Sequence, residues 1–134
     1  MPVELIRPEG LYTGAPYAYA AIAGPGRLIF TAGACPIDGN GDVLGDGDYQ
    51  QQARHAVANL VTALAAAGAT LTDVVKTTIY VASADRGDLY DVWQVVRAAF
   101  GEHDAPGTLL GVTVLGWEGQ LVEIEAVAVA PGTS

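Results

Sequence analysis

Apolar positions recur along the chain with two spacings, which predict strands and helices in alternation. Alternating large and small residues predict a strand over 17–22, and a second strand over 27–32 pairs back across a Gly-Pro-Gly turn to form a hairpin. Residues 49–67 carry apolar side chains at helical spacing and predict the first helix, with Asp48 as its N-cap. Residues 1–16 mix Pro, Gly and polar residues, which predicts an irregular lead-in.

The second half of the chain continues the alternation. β-Branched residues over 73–81 predict a central strand, and a second helix begins within 83–88 and ends before Gly101. The stretch 105–130 predicts two closing strands joined by a Gly-Trp-Glu-Gly turn. The resulting order β-β-α-β-α-β-β predicts an α/β (α+β) fold, in which both helices cover one face of a mixed sheet.

The other face of that sheet has no helix to cover it. In the last strand, Val127 and Val129 make this face apolar beyond Glu125. A soluble monomer rarely leaves such a face in water, so we expect the chain to pack against copies of itself.

Composition and charge restrict the possible partners. With 134 residues and 51% hydrophobic content, the chain is expected to form a single domain over 1–134. The formal charge of −9 disfavours nucleic acid, whose phosphates this surface would repel. No apolar run reaches the length of a membrane span, and the first residues contain Glu and Pro where a signal peptide needs basic and then apolar residues. We therefore expect a cytoplasmic protein whose partner is a small molecule or another protein chain, with no membrane partner.

Glu123 and Glu125 are the most informative charged residues, because they interrupt an apolar strand. In one interpretation both side chains alternate outward into solvent from a half-buried strand. In the other they lie in a cleft, where a carboxylate can hold a water molecule or transfer a proton. The residues alone leave both interpretations open.

Other candidate sites have less support. Residues 38–42 alternate acidic and amide side chains as a calcium loop does, but the sixth and twelfth positions lack the required Gly and Glu, so we interpret them as a solvated turn. The single Cys35 could act as a nucleophile with His55 or His103 as base, although nothing near it in sequence favours a thiolate. No Cys/His cluster predicts a metal site.

The chain resembles the RidA/YjgF family of reactive-intermediate deaminases over nearly its whole length. The resemblance implies a chorismate-mutase-like fold, a homotrimer with three sites in clefts between subunits, and no cofactor. Family deaminases hydrolyse imines and enamines derived from amino acids, releasing a keto acid and ammonia. The matching segments are Ala15-Pro16-Tyr17, Thr31-Ala32-Gly33 with Pro36, Val75-Lys76-Thr77-Thr78-Ile79-Tyr80-Val81 and Val122-Glu123-Ile124-Glu125-Ala126.

The resemblance also assigns roles to individual residues. Glu123 matches the family glutamate that holds the attacking water, so it is the candidate catalytic residue. Tyr17 and the Gly33 backbone amide are expected to hold the polar end of the substrate, and Leu110 and Trp93 its apolar part. Trp117 is a further candidate for an apolar contact, or an exposed turn residue.

One position departs from the family pattern. Fifteen residues before Glu123, where the family arginine grips the substrate carboxylate, this chain has Thr108. A neutral hydroxyl replaces a charged, two-pronged donor, so a neutral or more apolar substrate is expected unless another cation lies nearby. Arg27, Lys76 and Arg97 are the candidates for such a cation.

Two functions of different classes remain. In the first, the chain is a cofactor-independent enzyme in which Glu123 serves hydrolysis, deamination or tautomerisation of a small imine, enamine or carbonyl compound. In the second, it is a non-catalytic trimer that binds a small molecule or another protein. The ribonuclease label carried by some relatives fits poorly with a charge of −9 and scattered basic residues.

Overall fold

The computed structural model describes residues 3–132. Helix α1 spans Tyr49–Ala66 and α2 spans Arg86–Phe100, and a 3-10 turn at Leu71–Asp73 precedes the fourth strand. The strands are β1 (Val3–Ile6), β2 (Ala20–Ala23), β3 (Gly26–Phe30), β4 (Val74–Val81), β5 (Gly107–Gly111) and β6 (Val122–Pro131). Among these residues no helix is long and apolar enough to cross a bilayer.

Both predicted helices are confirmed, and local signals define their ends. Asp48 caps α1 by accepting a hydrogen bond from the backbone N–H of Gln51 at 3.0 Å, and Asp85 caps α2 through Gly87 at 2.8 Å. Gly68 and Gly101 follow the helices with φ of 88° and 63°, a conformation that disfavours other residues and stops helix propagation.

The mixed sheet is also confirmed, in the order β3-β6-β4-β5. Strand β4 lies between two strands of opposite direction, because β6 pairs with it antiparallel and β5 pairs with it parallel. Strands β1 and β2 form a separate antiparallel pair that contacts β4.

Two details of the predicted pairing were wrong. The lead-in contains β1, which pairs with β2, so β2 and β3 do not form the expected hairpin. The closing strands β5 and β6 are not neighbours either, because β4 separates them. Both errors arose from assuming that consecutive strands pair. The connection between β5 and β6 is long enough to cross β4, and the Gly-Trp-Glu-Gly turn is only one part of it.

The core lies between the sheet and the two helices. Its members include Leu60 and Leu64 of α1, Val92 of α2, and Val122 and Ile124 of β6, each fully buried. On the opposite face, Leu28 and Phe30 of β3 are 58% and 73% exposed. Self-association over this face stays a prediction.

A bulge in β4 determines which residue reaches the open face. Register with β6 shifts between Val74 and Lys76, so Val74 pairs with the buried Ala128 while Lys76 pairs with Val127. As a result, Lys76 lies on the same face as Glu123 and Glu125.

Candidate functional site

Glu123 lies near the start of β6, on the face of the sheet away from the helices. Its side chain is half-buried, and one carboxylate oxygen, Oε1, has two donors. The Gln120 amide donates from Nε2 at 3.1 Å, and the Cys35 thiol donates from Sγ at 3.3 Å. A side chain held in this way is positioned for chemistry rather than free to sample solvent.

Gln120 is itself fixed on both sides of its amide group. The residue is only 4% exposed; its Nε2 also donates to the Val122 carbonyl at 3.0 Å, and its Oε1 accepts from the Trp117 backbone N–H at 3.1 Å. These contacts tie the loop before β6 to the Glu123 carboxylate. The sequence gives little sign of this role, because Gln120 lies in an irregular loop where no periodicity relates residues three apart.

The second carboxylate oxygen of Glu123 faces Gly33. A Cβ built at Gly33 would lie 2.1 Å from Oε2, so only glycine leaves room for the carboxylate in this position. The segment is held against β6 by hydrogen bonds from Thr31 N to Ala126 O at 3.0 Å and from Ala34 N to Ile124 O at 2.7 Å. The structure therefore brings together two predicted site residues, Gly33 and Glu123.

Cys35 is a neutral donor in this group, and its geometry does not favour a nucleophilic role. Burial, followed by the hydrogen bond to Glu123 and the charge of that carboxylate, raises the pKa of the Cys35 thiol to about 11. The thiol is therefore protonated at neutral pH and poorly nucleophilic. His103, one of the bases considered for it, instead bonds through Nε2 to the Val74 carbonyl at 2.8 Å.

Thr108 lies on β5 with a cation beside it. The Lys76 ammonium donates to Thr108 Oγ1 at 2.7 Å. Of the three cations that the sequence left open, Arg97 instead lies with its guanidinium 5.5 Å from the centre of the Trp93 ring, and Arg27 pairs with Ala130 at the other edge of the sheet.

Strand register relates these groups across the open face. Glu123, Tyr80 and Leu110 form one row, and Glu125, Thr78 and Thr108 form the next. Leu110 is 41% exposed at the β5 end of its row. Tyr80 crosses between the rows to donate a short hydrogen bond to Glu125, and this bond raises the pKa of the Tyr80 hydroxyl. Glu125 is thus bonded within the sheet through its Oε1 oxygen.

A cavity of about 630 Å³ opens between α2 and β5. Three predicted site residues, Tyr17, Trp93 and Thr108, line it together with apolar side chains such as Ile79 and Phe100. Glu123, Gly33 and Leu110 are not part of its lining. Within one chain, the predicted residues therefore fall into two groups, one around Glu123 and one around this cavity.

The groups described above offer hydrogen bonds, one thiol and isolated charges rather than a metal-binding set. Across residues 3–132, no cluster of three or more His, Cys, Asp or Glu side chains is arranged to hold a metal ion. What the arrangement around Glu123 can do is orient a water molecule and accept or return its proton.

The sequence of this chain is similar to those of several known proteins. A family model described as Endoribonuclease L-PSP matches residues 9–130. A RutC family protein of Pyrococcus horikoshii is 35% identical over 113 residues, which cover 84% of this chain and 86% of that protein. The 3-aminoacrylate deaminase RutC of Acinetobacter baylyi is 33% identical over 129 residues, or 96% of this chain and 98% of that protein.

A solved structure extends the likeness to the fold. The crystal structure of YyfB from Yersinia pestis, described as a protein of unknown function of the conserved Rid protein family, matches with a TM-score of 0.88 and 32% identity. The match covers 96% of this chain and 99% of that one. The similarity is therefore not confined to a single motif.

Proposed function

The chain belongs to the RidA/YjgF family, and from this membership we propose that it hydrolyses a small imine or enamine at Glu123, in clefts between the subunits of a homotrimer. The relatives include a 3-aminoacrylate deaminase. The proposed reaction is of the same general type as that of such relatives. Which substrate it acts on depends on the residues of this chain.

The geometry of the Glu123 carboxylate is the observation that carries this proposal. Oε1 is occupied by Gln120 and Cys35, whereas among residues 3–132 no protein donor lies within hydrogen-bond distance of Oε2. A carboxylate with one oxygen anchored and the other free can accept a hydrogen bond from a water molecule and fix its direction of attack.

The proposed reaction needs only this carboxylate and water. An enamine first takes a proton from solvent on its β-carbon and becomes an iminium ion. The water oxygen then bonds to the iminium carbon while Glu123 accepts a proton from the water, giving a neutral carbinolamine. Glu123 returns this proton to the nitrogen, the C–N bond breaks to release ammonia, and the hydroxyl proton passes back to Glu123 or to solvent, which leaves a carbonyl compound.

The trimer would join the two groups that lie apart in one chain. In this proposal Tyr17 and Trp93 of one subunit close over Glu123, Gly33 and Leu110 of the next. The exposed Leu28 and Phe30 on the open sheet face supply apolar surface for such an association.

A non-catalytic binding function is the second candidate, and the cavity between α2 and β5 favours it. This cavity has mainly apolar walls and does not include Glu123. Binding there would not require the carboxylate. RNA cleavage, which the description of the family model names, has no comparable support, since a net charge of −9 opposes binding of a phosphate backbone.

Glu123→Gln tests the proposed hydrolysis. Imines generated in the assay, one from an amino acid by an amino-acid oxidase and one from a simple amine by an amine oxidase, would be followed by ammonia release above the spontaneous rate. Glutamine keeps the shape of the side chain but cannot take up the proton, so turnover should fall at least about 100-fold. Light scattering should show the same oligomer as the parent protein.

Glu125→Gln is the matched control. It removes the same charge from the same strand and keeps an acceptor for Tyr80, so it should retain most of the turnover. Unchanged turnover in Glu123→Gln would contradict the proposed function and favour the binding function instead.

A further inference from the structure

Gln120 is a buried glutamine that contacts the Glu123 carboxylate from behind. The residue is only 4% exposed, and both hydrogens of its Nε2 are used, one toward the Val122 carbonyl at 3.0 Å and one toward Oε1 of Glu123 at 3.1 Å. Its own Oε1 accepts from the Trp117 backbone N–H at 3.1 Å. A side chain enclosed in this way does not reach a substrate, so any effect that it has on a reaction must pass through Glu123.

Two backbone groups determine which end of this amide faces Glu123. The Trp117 N–H can only donate a hydrogen bond, and the Val122 carbonyl can only accept one. A flipped amide would set its oxygen against the Val122 carbonyl and its N–H against the Trp117 N–H, which would leave these groups without partners. The Nε2 donor therefore lies on the side of Glu123 whatever the state of that carboxylate.

This orientation gives the two oxygens of Glu123 different surroundings. Oε1 receives the Nε2 hydrogen of Gln120 and also the Cys35 thiol, at 3.3 Å. Oε2 lies beside Gly33, where the absence of a side chain leaves space. An oxygen that accepts from two donors is a poor place for a further proton, because that proton would face hydrogens already directed at it. A proton taken up by Glu123 therefore goes to Oε2.

Resting on the proposed function, we infer that Gln120 is a positioning residue for the hydrolysis. It holds Oε1 of Glu123 as a fixed acceptor, and so makes Oε2 the oxygen that takes the proton from the attacking water and returns it to the leaving nitrogen. Without the Nε2 donor, the carboxylate rotates more freely about its last bond, and its two oxygens exchange places. The water then loses a fixed direction of attack, which slows the chemical step rather than weakening substrate binding.

Gln52 offers a matched control, because it supports the same loop without touching Glu123. This amide is fully buried; it donates to the Gly119 carbonyl at 2.9 Å and accepts from the Leu121 backbone N–H at 2.7 Å. Methionine has the unbranched shape of glutamine and none of its hydrogen bonds. Gln52→Met and Gln120→Met therefore both loosen the loop before β6, and only Gln120→Met removes a donor from the Glu123 carboxylate.

Steady-state kinetics on the two imines of the Glu123→Gln assay tests the inference, with rates expressed per folded molecule. In Gln120→Met, kcat should fall roughly 10- to 100-fold while KM changes by less than about threefold, because the side chain positions Glu123 and does not bind substrate. Gln52→Met should keep kcat within about threefold of the parent. Gln120→Glu keeps the length of the side chain and an acceptor for Trp117, and its kcat should also fall, since a second carboxylate then faces Glu123.

A second measurement does not depend on turnover. In urea denaturation at fixed protein concentration, the loss of stability caused by Gln120→Met should be smaller in a Glu123→Ala background, where the bond to Oε1 is already absent. The loss caused by Gln52→Met should be the same in both backgrounds.

Four outcomes would overturn the inference. These are an unchanged kcat in Gln120→Met, an equal fall of kcat in Gln52→Met, a loss of activity carried by KM alone, and equal stability losses for Gln120→Met in both backgrounds. Glu123→Gln keeps the fate of the proposed function distinct. If Glu123→Gln loses turnover and Gln120→Met does not, the proposed function stands and the inference fails. If Glu123→Gln keeps its turnover, the proposed function fails and the inference fails with it.

Discussion

Gly33→Ala should disrupt the Glu123 site through a single added methyl group. The three nearest atoms to the new Cβ all belong to Glu123, at 2.1 Å for Oε2, 2.5 Å for Cδ and 2.8 Å for Cγ. Favourable contacts with carbon lie near 3.5–4.0 Å, so the carboxylate must move by about 1 Å or more. Gly33 is not among the glycines with positive φ, so alanine adds no backbone strain of its own.

The loss of stability comes from the hydrogen bonds that the displaced Glu123 carboxylate no longer accepts. Moving Oε1 breaks the bond from Gln120, and a hydrogen bond to a charged group contributes about 1.5–3 kcal/mol. It also breaks the weaker contact with Cys35. Glu123 is half-buried and can swing partly into solvent, which offsets some of the loss. We expect the free energy of unfolding to fall by about 2 kcal/mol, and turnover to fall with it.

Urea denaturation at fixed protein concentration measures this change, and Gly39→Ala is the matched control. Gly39 also lacks a positive φ, and a Cβ there would meet nothing within 4 Å. Both substitutions restrict the unfolded chain equally, so their difference isolates the contact. In a Glu123→Ala background, Gly33→Ala should cost little more than Gly39→Ala. Equal effects of the two alanines, or the same Gly33→Ala penalty with and without Glu123, would refute the reasoning.

Two other predictions concern the residues that support this site. The pKa of Cys35 is raised to about 11 from an ordinary 9.0, so near pH 8 the residue should carry about 100-fold less thiolate than an unperturbed cysteine. Its alkylation by iodoacetamide, followed by mass spectrometry, should therefore accelerate only as the pH approaches 11. Fast labelling at pH 8 would count against the contact with Glu123. Gln52→Leu should lower the free energy of unfolding by about 2–4 kcal/mol, because this fully buried amide donates to the Gly119 carbonyl and accepts from the Leu121 backbone N–H. At the exposed neighbouring position, Gln51→Leu should change the free energy of unfolding by under about 0.5 kcal/mol. Equal losses in the two variants would contradict a stabilising role for the Gln52 hydrogen bonds.

The sequence predicted elements well where one local pattern determined the outcome. Both helices followed from apolar spacing with a capping aspartate in front and a glycine behind, and β4 followed from its run of β-branched residues. Strand pairing was harder to predict, because β1 pairs with β2 across a long irregular segment and the connection from β5 to β6 passes over β4. Neither pairing is encoded in any local window of sequence.

In the candidate site, too, features set by a local sequence pattern could be predicted and contacts between distant segments could not. Glu123 could be singled out because a charge in an apolar strand is visible in sequence, and Lys76 carries the same signal in β4. The contacts of Gln120 and Cys35 with Glu123 could not be predicted, since they depend on where two irregular loops meet. Whether Glu123, Tyr17, Gly33, Thr108, Leu110 and Trp93 act on one substrate stays a prediction.

The strand order has a consequence for how such proteins diversify. Because β4 separates β5 from β6, Thr108 on the edge strand and Glu123 on β6 share no direct strand contact. A substitution on the edge strand β5 can therefore leave the surroundings of Glu123 intact. One side of the sheet can change in this way while the other side is inherited unchanged.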